Sequence, residues 1–299
     1  MPNREARQRM AHRGHAVRHD GGMIPAPSEL LSVARTIAAE AGELIVSARR
    51  GDIQVATTKS SDIDIVTKMD LAAERLLRER LAELRPDDAI LGEEGGASRG
   101  TSGITWVLDP IDGTVNYLYG LPSYSVSVGA VSGIATPEEW TLEAGAVFEG
   151  GTRTLWSAAR GLGAWRGEAP LVRPPGPALS STLLATGFQY LAERRALQGA
   201  LVAKMLPQVR DIRRLGSCAL DICMVASGQV DAYYEHGLNA WDFAAAALIA
   251  REAGVRIEGL HGEPPNTRLT IAAPPETFDA LHEALVEADA GSMWETPGA

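Results

Sequence analysis

The stretch Trp106-Val107-Leu108-Asp109-Pro110-Ile111-Asp112-Gly113-Thr114 constrains this chain more than any other. Ile104, Trp106, Val107 and Leu108 read as a short buried strand. Pro110 has no backbone N–H and cannot continue a central ladder, so the strand is expected to stop there. Asp109 and Asp112 then sit at its end, stiffened by the proline, where two carboxylates can converge on one point. Gly113 and Thr114 follow with close-approaching N–H groups and a hydroxyl, which suit a phosphate. Taken alone, a Pro-Asp-Gly turn with an aspartate as local cap explains the same residues. The rest of the chain decides between the two.

A carboxylate-rich site agrees with the charge balance. The 299 residues carry 38 acidic and 28 Lys or Arg side chains, a formal net charge of −10. Sequence-independent nucleic-acid binding by the body is therefore not expected, because it needs a basic surface. An acidic cleft can still attract phosphate once divalent cations load. Hydrophobic content of 45% and charged content of 22% suit a soluble globular chain, long enough for one large domain or two modest ones. Cys218 and Cys223 are the only cysteines, with neither a disulfide framework nor zinc-ligand spacing around them. A reducing, cytoplasmic compartment is the expectation. No apolar run reaches about 18 residues, so no membrane span is expected.

Residues 1–27 form a separate regime, in which Arg and His side chains lie among Gly and Pro with little to bury. A disordered basic tail is expected, and no apolar stretch follows the charges as a secretory signal would need. The catalytic body is placed at 28–291, with subdomains of about 28–172 and 178–291 and a flexible end at 292–299. The seam is Arg173-Pro174-Pro175-Gly176-Pro177, the strongest linker signal in the chain. A first helix is expected from an N-cap at Ser28 to Gly51, on the spacing of Leu30, Ala34, Ile37, Ala41 and Ile45. A short strand at 53–57 leads to an irregular segment and a second helix beginning at Asp70 and ending at Pro86. Asp70 reads as a capping carboxylate, or as one able to hold a catalytic hydroxyl. Ala89–Leu91 is strand-like and runs into Gly92-Glu93-Glu94-Gly95-Gly96, a turn able to present a carboxylate. Strands at 124–131, 142–148 and 152–158 precede the seam. Beyond it come a strand at 181–186, helices at 191–209, 216–226, 241–253 and 275–288, and strands at 230–234, 255–257 and 269–272. Helices, then antiparallel-looking strands, then strand–helix alternation give a layered mixed α/β architecture.

His236-Gly237-Leu238-Asn239-Ala240-Trp241-Asp242 puts another carboxylate in the first turn of a helix, where dipole compensation of about 0.3–1 kcal/mol is explanation enough. Singly, Glu93, Asp109, Asp112 and Asp242 are each unremarked. Together they are four carboxylates at element ends, with the Ile111 carbonyl between two of them. Oxygen-only ligands suit Mg²⁺ or Mn²⁺, which share ligands with phosphate.

Gly92-Glu93-Glu94, the D-P-I-D-G-T block at 109–114 and Trp241-Asp242-Phe243 resemble the signature motifs of the inositol monophosphatase family, the Mg²⁺-dependent, lithium-sensitive sugar phosphatases. Lys59-Ser60-Ser61 with Asp64 and Thr67, and Gly216-Ser217-Cys218-Ala219, match further blocks in order. The resemblance covers roughly 28–291 and implies an αβαβα sugar-phosphatase fold, mixed α+β, and a homodimer. It implies a first metal on Glu93, Asp109 and the Ile111 carbonyl, and a second on Asp109, Asp112 and Asp242. A third, weaker Mg²⁺ would sit near Glu93. Thr114, bonded to Asp70, would with Glu93 orient and deprotonate the attacking water. Gly113 and Thr114 N–H groups would grip the phosphate, and Glu235 with backbone at Ser217–Cys218 would meet hydroxyls of the alcohol half. Ser217 and Cys218 stand where threonine and alanine are common, and the loop 97–104 is short.

The resemblance thus implies hydrolysis of inositol 1-phosphate or a similar polyol monophosphate. Histidinol phosphate, fructose 1,6-bisphosphate, NADP and 3′-phosphoadenosine phosphates are the alternatives, and Arg213, Arg214 or Lys59 could meet a second phosphate. A non-catalytic partnership with transcription or ribosomal RNA processing machinery is the rival class. The basic tail and the arginines at 194, 195, 213 and 214 are the features that would serve it.

Overall fold

Apolar spacing makes α1 (Pro27–Ala48), which buries Leu30, Ala34, Ile37, Ala41 and Ile45 along one face. The computed structural model describes residues 18–19, 22–49, 55–59 and 65–292. The N-cap of α1 is Ala26, with Pro27 opening the helix, not the expected Ser28. Proline has no N–H to lose in a first turn and its φ is already helical. Most of the expected tail lies outside the described residues; within it, β1 (Arg18–His19) pairs with β2 (Gly22–Met23). β3 (Val55–Thr58) pairs antiparallel with β4 (Ile65–Thr67), and Ser60, Ser61 and Asp64 fall outside the described residues. α2 (Lys68–Leu84) begins two residues earlier than expected. Thr67 is its N-cap and Asp70 the third helical residue, the two joined in a reciprocal capping box.

A large sheet follows: β5 (Ala89–Gly92), β6 (Gly96–Ser98), β7 (Ile104–Asp112), then, after the short helix α3 (Thr114–Tyr119), β8 (Ser125–Gly133), β9 (Trp140–Glu149), β10 (Thr154–Ala159), β11 (Gly163–Arg166) and β12 (Ala169–Leu171). Their order is β12-β11-β10-β9-β8-β7-β5-β6, with β5 and β7 the parallel pair. β7 runs through Pro110 to Asp112, contrary to expectation. Its register against β8 jumps between Asp109 and Asp112, while β5 pairs only as far as Leu108. The bulge spares Pro110 a ladder bond and turns the two aspartates toward the strand end.

Residues 173–177 carry the chain from this sheet to a second one. It holds β13 (Leu183–Thr186), β14 (Asp211–Arg213), β15 (Ala232–Glu235), β16 (Arg256–Glu258) and β17 (Thr270–Ala273), in the order β14-β13-β15-β17-β16. α4 (Ala192–Met205), α5 (Cys218–Ser227), α6 (Ala240–Glu252) and α7 (Pro275–Glu287) complete the chain. α1 and α2 cover one face of the large sheet, and one core joins α1, α2, Trp106, Val126 and Val128. α5 and α6 fill the space between the sheets, and a second core links Val107, Trp156, Leu220, Phe243 and Tyr233. A third core sets Leu201 of α4 and Phe278 of α7 against Ile271. The result is five layers, αβαβα, as expected.

The approach of α6 to the sheet depends on small residues. Ala244, Ala245, Ala246 and Ala247 are buried, and a Cβ on Gly145 would lie 2.9 Å from the Ala245 backbone. A helix buried on most sides needs no polar stripe, and six of the thirteen residues of α6 are alanine, small enough for that close approach. Among the described residues no helix is long and apolar enough to cross a membrane.

Candidate active site

The ends of β5, β7, α3, α5, β15 and α6 meet at a cleft of about 440 Å³, lined among others by Lys59, Glu93, Asp109, Ile111, Asp112, Gly113, Thr114, Arg214, Cys218, Glu235 and Asp242. The bulge at the end of β7 supplies its floor. Asp109 is buried, and one of its oxygens, Oδ1, accepts the Ile111 N–H at 3.0 Å. Asp112 sits on the N-terminus of α5: Oδ2 accepts from Ser217 Oγ at 2.6 Å and Ala219 N at 2.7 Å, and Oδ1 from Cys218 N at 3.3 Å. Free N–H groups and the helix dipole both favour a carboxylate there. Ser217, the N-cap of α5, thus spends its hydroxyl on Asp112; it stands behind the cleft rather than in its wall.

Gly113 has φ +91°, and a Cβ there would lie 2.9 Å from Ser123 O and 3.0 Å from Gly216 O. Only glycine fits that left-handed turn beneath the loop before α5. Thr114 Oγ1 lies 3.1 Å from Asp70 Oδ1 and 2.9 Å from the Ile111 carbonyl oxygen, two acceptors for its one proton. Asp70 is fixed in turn by the Thr67 N–H at 2.8 Å and the Thr67 hydroxyl. The expected Asp70–Thr114 pairing is therefore present, with Asp70 behind the cleft. Asp242, third residue of α6, accepts the Asn239 N–H at 2.7 Å. Glu235 ends β15 and accepts the Tyr233 hydroxyl at 2.7 Å. Cys218 is free and buried in the wall, and its N–H, expected to meet substrate, points to Asp112.

Glu93 follows β5, and its N–H continues the parallel pairing to Leu108 O at 3.2 Å. Its side chain accepts from Lys59 Nζ at 2.7 Å, as does that of Glu94. A residue that sequence reasoning passed over holds this turn. Glu74, buried in α2, accepts the Glu94 N–H at 2.7 Å, the Gly95 N–H at 2.8 Å and Arg78 Nε at 2.7 Å. It lies four residues after Asp70, on the same helix face, and that spacing was its only signal.

The electrostatics are those of acids short of positive charge. Burial raises the Asp109 carboxyl well above its ordinary range, and Glu93, Asp112 and Asp242 push it further. Burial, then Glu93 and Asp112, do the same to Asp242. Asp112 rises to about 6 through burial, despite its bonds from Ser217, Ala219 and Cys218. Asp70 also reaches about 6 by burial, and Glu235 about 7. Among the described residues no three His, Cys, Asp or Glu side chains are closed around one point as a finished metal seat. The four expected ligand side chains nevertheless share one cleft, and the charge of Glu93 raises the proton affinity of Asp109, Asp112 and Asp242. An all-oxygen donor set with that deficit suits a hard dication.

Residues 26–290 match the sequence profile of the Inositol monophosphatase family. The chain belongs to that family. An inositol-1-monophosphatase from Mycobacterium bovis is 50% identical over 279 residues, covering 87% of this chain and 94% of that one. The family also contains a Nus factor SuhB from Pasteurella multocida, 39% identical over 261 residues, with 85% and 95% covered. Among solved structures, Mycobacterium tuberculosis SuhB superposes with a TM-score of 0.75 at 45% identity, covering 89% of this chain and 99% of its own. The inositol monophosphatase fold is thereby shared, and membership of the family implies phosphatase activity.

Proposed function

We propose that this chain is a Mg²⁺-dependent phosphatase that hydrolyses inositol 1-phosphate, or a similar polyol monophosphate, by attack of water. One observation carries the reading: Glu93 just after β5, Asp109 and Asp112 of β7 and Asp242 of α6 line one cleft in which, among the described residues, Glu93 alone of the four has a direct ion-pair partner, Lys59, beside a Thr114 hydroxyl held by Asp70. Glu93, Asp109 and the Ile111 carbonyl would hold one ion, and Asp109, Asp112 and Asp242 a second. A third, weaker ion would sit by Glu93, and Mn²⁺ could replace Mg²⁺. Bound cations supply neutralisation of the phosphoryl charge and acidification of water.

The chain's own groups do the rest. Thr114, its proton directed to Asp70 or Ile111, offers a lone pair to orient the water. Glu93 receives the water's proton. The N–H groups of Gly113 and Thr114 bind phosphoryl oxygens, and Glu235 accepts hydrogen bonds from hydroxyls of the alcohol. Phosphoryl transfer asks mainly for such positioning and charge balance. Lithium sensitivity, a homodimer and a cytoplasmic location belong to the same proposal.

The test is phosphate release from inositol 1-phosphate, histidinol phosphate, fructose 1,6-bisphosphate and NADP, with and without Mg²⁺. Mg²⁺-dependent turnover led by inositol 1-phosphate supports the reading; turnover that ignores Mg²⁺ refutes it. The kinship with a Nus factor favours a second reading, a non-catalytic role with transcription machinery. In that case a pulldown of such partners would survive Asp109→Asn.

A further inference from the structure

Lys59 is the one cationic side chain that forms a direct ion pair with the expected ligand carboxylates among the described residues. Its Nζ stands 2.7 Å from Glu93 Oε1 and 2.7 Å from Glu94 Oε1, and its side chain is one-third exposed at 33%. The two acids it bridges cannot turn away easily. The backbone N–H groups of Glu94 and Gly95 are pinned to Glu74, which is itself paired with Arg78. A Cβ on Gly92 would meet Glu74 Oε1 at 2.3 Å, so the turn is seated directly on that carboxylate. Burial works against the charge on Lys59, but Glu93 and Glu94 outweigh it and raise the ammonium above its ordinary value.

Glu93 is the carboxylate through which the proposed first and third cations reach the cleft, and its Oε1 already has a positive partner. A dication and an ammonium cannot share that oxygen without mutual repulsion at contact distance. We infer that Lys59 is a built-in counter-cation for Glu93 and Glu94, which an arriving divalent ion must displace, so that this one side chain sets the chain's metal affinity. This rests on the two-cation reading above. In the metal-free chain Lys59 offsets the repulsion between adjacent acids. In the loaded chain it swings free within a cleft it already lines, where a phosphate dianion is its natural new partner.

The experiment is calorimetric titration of Mg²⁺, and of Mn²⁺ followed by electron paramagnetic resonance, into the wild type, Lys59→Met and Lys59→Arg, with thermal melts of each metal-free chain. Lys59→Met should bind Mn²⁺ about tenfold more tightly, the equilibrium equivalent of one charge-assisted hydrogen bond no longer in competition. Its metal-free melting temperature should fall and its metal-induced gain should grow. Lys59→Arg keeps the cation and should stay within about threefold of wild type. Equal affinity in wild type and Lys59→Met, or weaker binding in Lys59→Met while its metal-free melt is unchanged, overturns the counter-cation role and leaves the metal reading standing. Absence of binding in all three chains removes the metal reading, and the inference with it.

Discussion

Replacing Glu74 tests whether the turn bearing Glu93 is held from helix α2. The carboxylate is 3% exposed in its side chain and takes three hydrogen bonds, from Glu94 N, Gly95 N and Arg78 Nε. Glu74→Gln keeps the volume but replaces one acceptor by an NH₂ group, so at least one of the two backbone N–H groups loses its partner. A hydrogen bond to a charged group contributes about 1.5–3 kcal/mol, and a buried donor left unpaired costs about 1–3 kcal/mol. The Arg78 pair is partly solvated, at 24% exposure, and adds less. A loss of about 2–4 kcal/mol is expected, measured as the drop in unfolding free energy in urea without metal. Glu93 should also become less well placed, so Mn²⁺ binding should weaken in the same variant. Destabilisation below about 0.5 kcal/mol with unchanged Mn²⁺ affinity would refute the reasoning, since that is the scale of an ordinary surface substitution.

Gly113→Ala should lower stability by about 2 kcal/mol or more and depress turnover, because φ +91° strains any side chain. Urea melts and phosphate release check both effects. Glu235 supplies a pH signature. Burial raises its folded pKa to about 7, so the native state holds a proton that the unfolded chain releases near 4.5. That stability is fully present below about pH 4.5 and is lost as pH rises toward 7, with a limit of about 3 kcal/mol. Glu235→Gln should flatten this part of the stability–pH curve of the metal-free chain, and an unaltered slope would contradict it.

Much of the site was legible because its residues occupy element ends that local chemistry marks. Asp70 and Asp242 lie in first helical turns, Asp112 beside a glycine with positive φ, and Glu93 in a Gly-flanked turn. The layered fold was legible from apolar periodicity in α1, β7, β8 and β9. Boundaries were less so: Asp70 and its neighbour Thr67 both cap well, and the box uses both, so α2 starts earlier than expected. Pro110 read as a stop because a bulge cannot be foreseen without knowing where β5 ends. β11, β12 and α3 are short, and β11 and β12 lie near Gly161, Gly163 and Gly167, with too few apolar residues to show a period. The pairing of Lys59 with Glu93 spans 34 residues and leaves no mark in either local sequence.

The most direct measurement is the number of Mn²⁺ ions bound per chain, with Mg²⁺-dependent phosphate release, in wild type and Asp109→Asn matched by circular dichroism. Asp109 is the ligand expected to serve both principal ions. Two or more ions in wild type, with loss of at least one and a hundredfold or greater fall in turnover in a folded Asp109→Asn, is the expected result, on the order of 2.7 kcal/mol or more of transition-state stabilisation. Full occupancy and undiminished turnover in that variant would contradict it.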